Sequence, residues 1–267
     1  MKKYQLGVIG TGFMAKAILQ GILQNNLISA DNIIVYDINL QQMEQLKKEG
    51  VAIANSCLEV ANKAEYLLFA IKPQNFNAVA AEMQNCTCTK IISIMAGVSI
   101  AKIQSAFVEK KTIARAMPNL PVSISAGMTA IELAGFTEND KNFILQIFSS
   151  IGKVIAIEES KIDAVTGISG SGPAYVFLFI KALAEAGVKQ GLTLQESKTL
   201  AIQTVLGAAL MVEKNFNSAL SDLIGAVCSK GGTTIEAIES FMQDGFEETV
   251  DHAVAACVHR AKELSNT

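Results

Sequence analysis

Hydrophobic and polar positions follow two different rhythms along this chain, and the change falls near residue 158. Before it, short β-branched and aliphatic runs alternate with longer stretches whose apolar residues recur every three or four positions. The runs Tyr4–Ile9, Ile33–Tyr36, 66–71, 91–95 and 112–117 read as strands, and the stretches opening near Phe13, Leu40, Leu58 and Ile100 read as helices. Such alternation predicts βαβ units, hence a parallel sheet with helices on both faces. A further strand pair is expected at Gly127–Glu132 and 153–157, flanking a helix at Glu138–Ser149. Beyond 158 no strand pattern occurs, and helices are expected near 160–168, 171–188, 193–214, 218–227, 232–242 and 245–264. Thr193 and Glu196 have capping-box spacing, and Pro173 suits a first helical turn, where its missing N–H does no harm. The prediction is an α/β chain: a doubly wound parallel sheet over residues 1–158, then an all-α region over 159–267.

Composition narrows the function classes. Half of the 267 residues are hydrophobic and 18% are charged, so the chain buries a large core and is not disordered. With no Trp, that core is built mainly from Ala, Ile, Leu, Val and Met. The net charge of -3 and just two arginines, Arg115 and Arg260, argue against a nucleic-acid partner, which needs clustered cations. Cys57, Cys86, Cys88, Cys228 and Cys257 are odd in number and match no zinc spacing, so no metal and a reduced, cytoplasmic setting are expected. The longest uninterrupted apolar stretch, 174–180, is too short to span a bilayer, and no membrane association is expected. The Ala-rich, apolar helical half is expected to pack against another copy of itself, as a homodimer or a multiple of dimers such as a decamer.

The first strand runs into Gly10-Thr11-Gly12-Phe13-Met14-Ala15 and a helix follows at once. This is the G-x-G-x-x-G/A fingerprint of a Rossmann-like dinucleotide site. Gly10 permits the tight turn, Gly12 lets the backbone approach the pyrophosphate, and Ala15 lets helix and strand pack closely. The second strand ends at Asp37, where an acidic residue usually bonds the adenosine ribose 2′-hydroxyl and repels a 2′-phosphate. The alternative is that Asp37 only caps the next helix. The cofactor expected is NADPH or NADH, with a lean to NADH through Asp37.

Further segments resemble the pyrroline-5-carboxylate reductase family over essentially the whole chain. They are Phe69-Ala70-Ile71-Lys72-Pro73-Gln74, Ser93-Ile94-Met95-Ala96-Gly97, Met117-Pro118-Asn119, Ser169-Gly170-Ser171-Gly172-Pro173-Ala174-Tyr175 and Gly231-Gly232-Thr233-Thr234-Ile235. The resemblance implies reduction of 1-pyrroline-5-carboxylate to proline, the last step of proline biosynthesis, at a C=N bond. It implies that Ala70, Ile71, Lys72, Pro73, Met95, Ala96 and Gly97 flank the cofactor, although Lys72 at a strand end suits a phosphate and solvent equally well. It implies a substrate site from Met117, Asn119, Pro173, Val227, Ser229, Gly231, Gly232, Thr233 and Thr234, with Thr234 donating to the ring nitrogen as the catalytic group. Gly231–Thr234 opens a helix, so amides of Gly232, Thr233 and Thr234 suit the substrate carboxylate; the alternative is a threonine N-cap alone.

The chain departs from the family pattern at three places. Lys230 stands where Pro is usual, Leu223-Ile224-Gly225 replaces a Leu-Arg-Asp or Leu-Lys-Asp run, and Leu120 replaces Thr. Two rival readings are a β-hydroxyacid dehydrogenase and a non-catalytic dinucleotide sensor. The former shares the glycines Gly167, Gly170 and Gly172 but requires Lys and Asn where this chain has Val176 and Phe179. Alcohol oxidation needs that acid–base lysine, and imine reduction does not.

Overall fold

The computed structural model describes residues 3–265. The chain divides into two compact units: one runs through Ser171 and takes the chain up again from Cys257, the other is Gly172–Ala256.

The first unit is an eight-stranded sheet. Its strands are β1 (Tyr4–Ile9), β2 (Ile33–Tyr36), β3 (Ala52–Ile53), β4 (Ala64–Phe69), β5 (Lys90–Ser93), β6 (Thr112–Pro118), β7 (Gly127–Glu132) and β8 (Gly152–Ala156), in the order β3-β2-β1-β4-β5-β6-β7-β8. All neighbours are parallel except β6 and β7. The expected strands are all present; the two-residue β3 and the antiparallel turn at β7 are additions. Successive residues of the central strands point to opposite faces. Leu6, Val8, Leu68 and Ile92 belong to one core, and Ile9, Leu67, Phe69 and Ile91 to the other. Both faces are therefore covered, which explains why these strands read as continuous apolar runs.

β4 and β5 stop earlier than their apolar runs. Ala70, Ile71, Ile94 and Met95 extend the hydrophobic pattern but lie beyond the last paired residues, Phe69 and Ser93. Ala70 N and Ile94 N still donate to Ile9 O and Phe69 O at 2.9 and 3.1 Å, and all four residues line a cavity at the strand ends. The order reverses between β1 and β4, so the crevice beyond those strand ends is the ligand-binding position of an open α/β sheet.

Helix α1 (Phe13–Gln24) follows β1, α2 (Leu40–Lys48) follows β2, α3 (Cys57–Lys63) precedes β4, α4 (Phe76–Ala81) precedes β5 and α5 (Ile100–Ser105) follows it. Asn39, Ser56 and Ser99 cap the starts of α2, α3 and α5 by accepting backbone N–H bonds. α6 (Glu138–Ser149) is tied by charge to the starts of the central strands β4 and β5. Lys90 Nζ lies 2.6 Å from Asp140 Oδ1 and 3.2 Å from Glu65 Oε1, and Tyr66 donates to the same Asp140 carboxylate. Burial pushes the Asp140 carboxyl up, but the bonds from Lys90, Tyr66 and Thr137 outweigh it and bring it down to about 2.

After β8 the expected single helix near 160–168 is a change of winding: a 3-10 turn at Glu159–Lys161, α7 (Ile162–Val165) and a π turn at Thr166–Gly170. The wider π turn is closed by Ser171 N donating to Thr166 O at 2.9 Å. Arg115, buried on β6, meets Glu159 at 3.2 Å and Asp163 at 3.6 Å, holding the start of this segment on the sheet.

The second unit holds α8 (Gly172–Lys189), α9 (Leu194–Lys214), α10 (Leu220–Val227), α11 (Thr233–Gln243) and the start of α12 (Phe246–Ser265). Pro173 sits in the first turn of α8, and Thr193 and Glu196 form the expected capping box on α9. α8 and α9 approach closely through small residues: Ser197 donates to Ala184 O at 2.7 Å, and both are buried with Ala201. The run Glu159–Lys189 is long and apolar enough by composition to cross a membrane, although its longest unbroken apolar stretch is short. Its large side chains are instead left uncovered: Phe177 is 55% and Leu178 66% exposed.

Candidate active site

The glycine-rich turn follows from the sequence it is made of. Gly10 adopts φ +90°, a left-handed value costly for other residues, and a Cβ there would lie 2.7 Å from the Ala70 carbonyl oxygen. The turn therefore needs glycine both for conformation and for the approach of β4. At Gly12 a Cβ would meet no heavy atom within 4 Å, because that position opens onto a cavity. Gly12 is also the N-cap of α1, and the first helical bond is Lys16 N to Gly12 O at 3.0 Å. The amides of Phe13, Met14 and Ala15 thus precede the helical ladder at its positive end.

The cavity, about 510 Å³, sits at the ends of four strands. After β1 it is lined by Gly12, Phe13 and Met14; after β4 by Ala70–Pro73; after β5 by Ile94–Ala96; and around the end of β6 by Met117–Leu120, with Gly170 of the π turn. A glycine cradle at an uncapped helix start, continuous with an apolar slot, fits the diphosphate and nicotinamide parts of a dinucleotide. Ala15 is buried under the helix, and Gly97, at φ +72°, belongs to the turn that Val98 N closes on Met95 O at 3.5 Å. Ile94, Pro118, Leu120 and Gly170 line the cavity although none is among the expected cofactor or substrate residues. All but Leu120 sit inside the motif segments, which was the available signal; Leu120 was visible only as a departure.

Asp37 is bound into the turn. Its Oδ2 accepts from Thr11 N at 2.6 Å and Thr11 Oγ1 at 3.1 Å, and its Oδ1 accepts from Asn39 N at 2.8 Å. The cap of α2 is Asn39, whose side chain accepts from Gln41 N. The capping alternative therefore falls to Asn39, while Asp37 places a carboxylate beside the glycine turn. Lys72 is exposed at the rim of the cavity.

The remaining expected residues lie in the second unit. Val227 ends α10, and Ser229, Lys230 and Gly231 lead into α11. Gly231 takes φ +71°, and Gly232 N closes the turn by donating to Ser229 O at 2.9 Å. Gly232 is the N-cap of α11 without a side-chain cap bond, and a Cβ on it would lie 2.4 Å from Ser229 Oγ. Of the amides expected to meet an anion, that of Gly232 is used by the turn. Those of Thr233 and Thr234 precede the helical ladder, followed by that of Ile235. Thr234 stands in the first turn of α11 and is half-buried.

Comparison with known proteins covers the chain end to end. Residues 159–264 match the family model described as pyrroline-5-carboxylate reductase dimerisation, and residues 5–97 match that described as NADP oxidoreductase, coenzyme F420-dependent. The pyrroline-5-carboxylate reductase of Synechocystis is 40% identical over 97% of this chain and 98% of its own length. Among solved structures, the enzyme of Coxiella burnetii superposes with a TM-score of 0.90 at 33% identity, covering 100% of both chains. The Plasmodium falciparum pyrroline carboxylate reductase, solved with NADP bound, gives 0.88 at 31% identity, covering 99% of both.

Proposed function

The chain belongs to the pyrroline-5-carboxylate reductase family, and from that premise we propose how its own residues carry the reaction. The protein is an NAD(P)H-dependent oxidoreductase that reduces the C=N bond of 1-pyrroline-5-carboxylate to give proline. When bound, the reduced nicotinamide supplies the hydride. The amides ahead of α1 hold the diphosphate, and the apolar slot from Ala70 to Pro73 and Ile94 to Ala96 keeps water from the nicotinamide side. The amides of Thr233 and Thr234 hold the substrate carboxylate, with Val227, Ser229, Gly231 and Gly232 shaping the turn that presents them. Met117 and Pro173 pack on the substrate and nicotinamide side. As hydride adds to the carbon of the protonated imine, the C=N π pair becomes the lone pair of the ring nitrogen, whose proton arrived with the substrate, and the Thr234 hydroxyl donates a hydrogen bond there. Helical residues 159–267 supply the substrate anchor and the dimerisation surface, and residues 1–158 bind the cofactor. The assembly is a homodimer or a multiple of dimers such as a decamer, working in the cytoplasm.

The observation that carries this reading is the glycine cradle opening into the apolar slot. Imine-dependent oxidation of reduced cofactor by the purified protein tests it; no turnover with either cofactor, from folded protein that binds both ligands, would refute it. Within that reading the Asp37 carboxylate beside the turn favours NADH over NADPH by repelling a 2′-phosphate. The two cofactors compared side by side decide this. Asp37→Ser should move the ratio of efficiencies toward NADPH by about tenfold or more, roughly one such charge contact. A large NADPH preference in the unmodified protein would show that Asp37 serves only the turn.

A further inference from the structure

Asn119 stands where β6 ends and the chain enters the short 3-10 turn Leu120–Ile124. Its backbone is extended, at φ −117° and ψ 169°, and its side chain makes no cap to that turn. The amide instead reaches two other segments. Oδ1 accepts from Met128 N at 2.8 Å, while Nδ2 donates to Ser169 O at 3.1 Å and Ser169 Oγ at 3.3 Å. An N–H on one side and a carbonyl on the other fix which way the amide points. The β6–β7 register pairs Met117 with Ala130 and Pro118 with Thr129, so Asn119 falls opposite Met128 and its side chain takes over where the backbone ladder stops. Asn119 lines the cavity, yet both ends of its amide are engaged within the protein.

The partner it holds is the π turn at Thr166–Gly170, whose last residue is also part of the cavity wall. Met117, on the same face of β6, meets the neighbouring residue of that turn: a Cβ at Gly170 would lie 2.8 Å from Met117 Cε. Met117 on β6 and Asn119 just past its end therefore meet two consecutive residues of one turn.

We propose that Asn119 is a positioning residue, which fixes the Ser169–Gly170 edge of the cavity wall, and through it the seating of the nicotinamide ring, without bonding the substrate. The proposal rests on the reading of this cavity as the cofactor site. Its physical basis is that hydride transfer depends steeply on alignment, a displacement of about 1 Å costing on the order of a hundredfold.

Asn119→Asp is the informative variant. It keeps an acceptor for Met128 N and hence the β6–β7 junction, but sets a carboxylate against the Ser169 carbonyl in place of the amide donor. Amide hydrogen exchange across residues 166–171 should accelerate about tenfold with the rest of the sheet unchanged. Turnover should fall about ten- to a hundredfold, the imine KM should change less than about threefold, and the primary isotope effect from cofactor deuterated at the transferred position should rise. Ser169→Ala keeps the backbone carbonyl and should stay within about threefold of the parent in turnover. A raised imine KM at unchanged kcat would overturn the proposal in favour of direct substrate binding. A lowered thermal midpoint with unchanged exchange at 166–171 and unchanged kcat would reduce Asn119 to a structural residue. Hydrogen exchange needs no substrate. An unmodified protein that fails to turn over the imine therefore counts against the proposed reaction, whereas unchanged exchange in Asn119→Asp counts against the positioning role itself.

Discussion

The sheet unit and the helical unit solve the burial of apolar surface in opposite ways. In the former, Leu67, Phe69 and Ile91 are at or near zero exposure, and the chain covers them itself. In the latter, Val176, Phe177, Leu178 and Phe179 are four successive apolar residues of α8, all exposed between 40% and 66%. Four in a row face every side of a helix, so no arrangement of that helix on one neighbour hides them all. Leu200, Leu206 and Leu210 of α9 are exposed as well. Buried side chains of this size are each worth about 1.5–3 kcal/mol, so leaving them in water works against the fold unless another surface covers them. Residues 159–264 match the family model described as pyrroline-5-carboxylate reductase dimerisation, in keeping with such a covering surface. The lesson is that hydrophobicity of equal strength is buried as core in one half and left uncovered in the other, and burial in the folded chain is what separates them.

The largest effect should come from putting a charge on each kind of apolar position. Leu67→Glu, in a fully buried strand, should leave little folded protein, because an unpaired carboxylate there costs several kcal/mol. Phe177→Glu should leave the subunit folded but weaken association by a hundredfold or more, roughly the cost of burying that charge between subunits. Light scattering and circular dichroism on both variants check the contrast, and a Phe177→Glu protein that remains fully assembled would break it.

A second test separates the chemistry of the two units. Thr234→Ala should lower turnover by about ten- to a thousandfold, the range for one well-placed donor. Thr234→Ser should retain much of the activity, and cofactor affinity should hardly change, since the dinucleotide residues lie in the other unit. If Thr234 is only a helix residue, the loss is about 1 kcal/mol of stability with turnover intact. Single-turnover rate and thermal midpoint measured on one preparation distinguish these outcomes.

The smallest effect is confined to the sheet unit. The Asp140 carboxyl is held at about 2 against an ordinary 3.8, so its contribution is fully present above pH 4 and is lost as pH falls through about 2. Asp140→Asn should cost on the order of 1–2 kcal/mol near neutrality and flatten the stability profile between about pH 4 and 2. Denaturant midpoints measured across that range check it. A variant as acid-sensitive as the parent would place the acid transition at other carboxylates.

Sequence alone settled what depends on neighbours along the chain. The periodicities placed the strands and most of the helices, because alternation and helical spacing report local geometry. The fingerprint at Gly10 and Gly12 was legible because a left-handed turn and an uncapped helix start demand those residues wherever they occur. The resemblance, carried by short ordered motifs, identified the reaction. What needed tertiary structure was everything set by contacts distant in sequence. Ala70, Ile71, Ile94 and Met95 look like strand until the paired ends of β4 and β5 leave them over the crevice. A single helix near residue 165 looks adequate until Arg115, 44 residues before Glu159, and Asn119, 50 residues before Ser169, fasten its ends to β6. Hydrogen bonds and packing across such separations carry no periodic signature along the chain. They form only when the fold brings the partners together, which is why the winding of that segment, and with it one wall of the cavity, was decided by the tertiary structure.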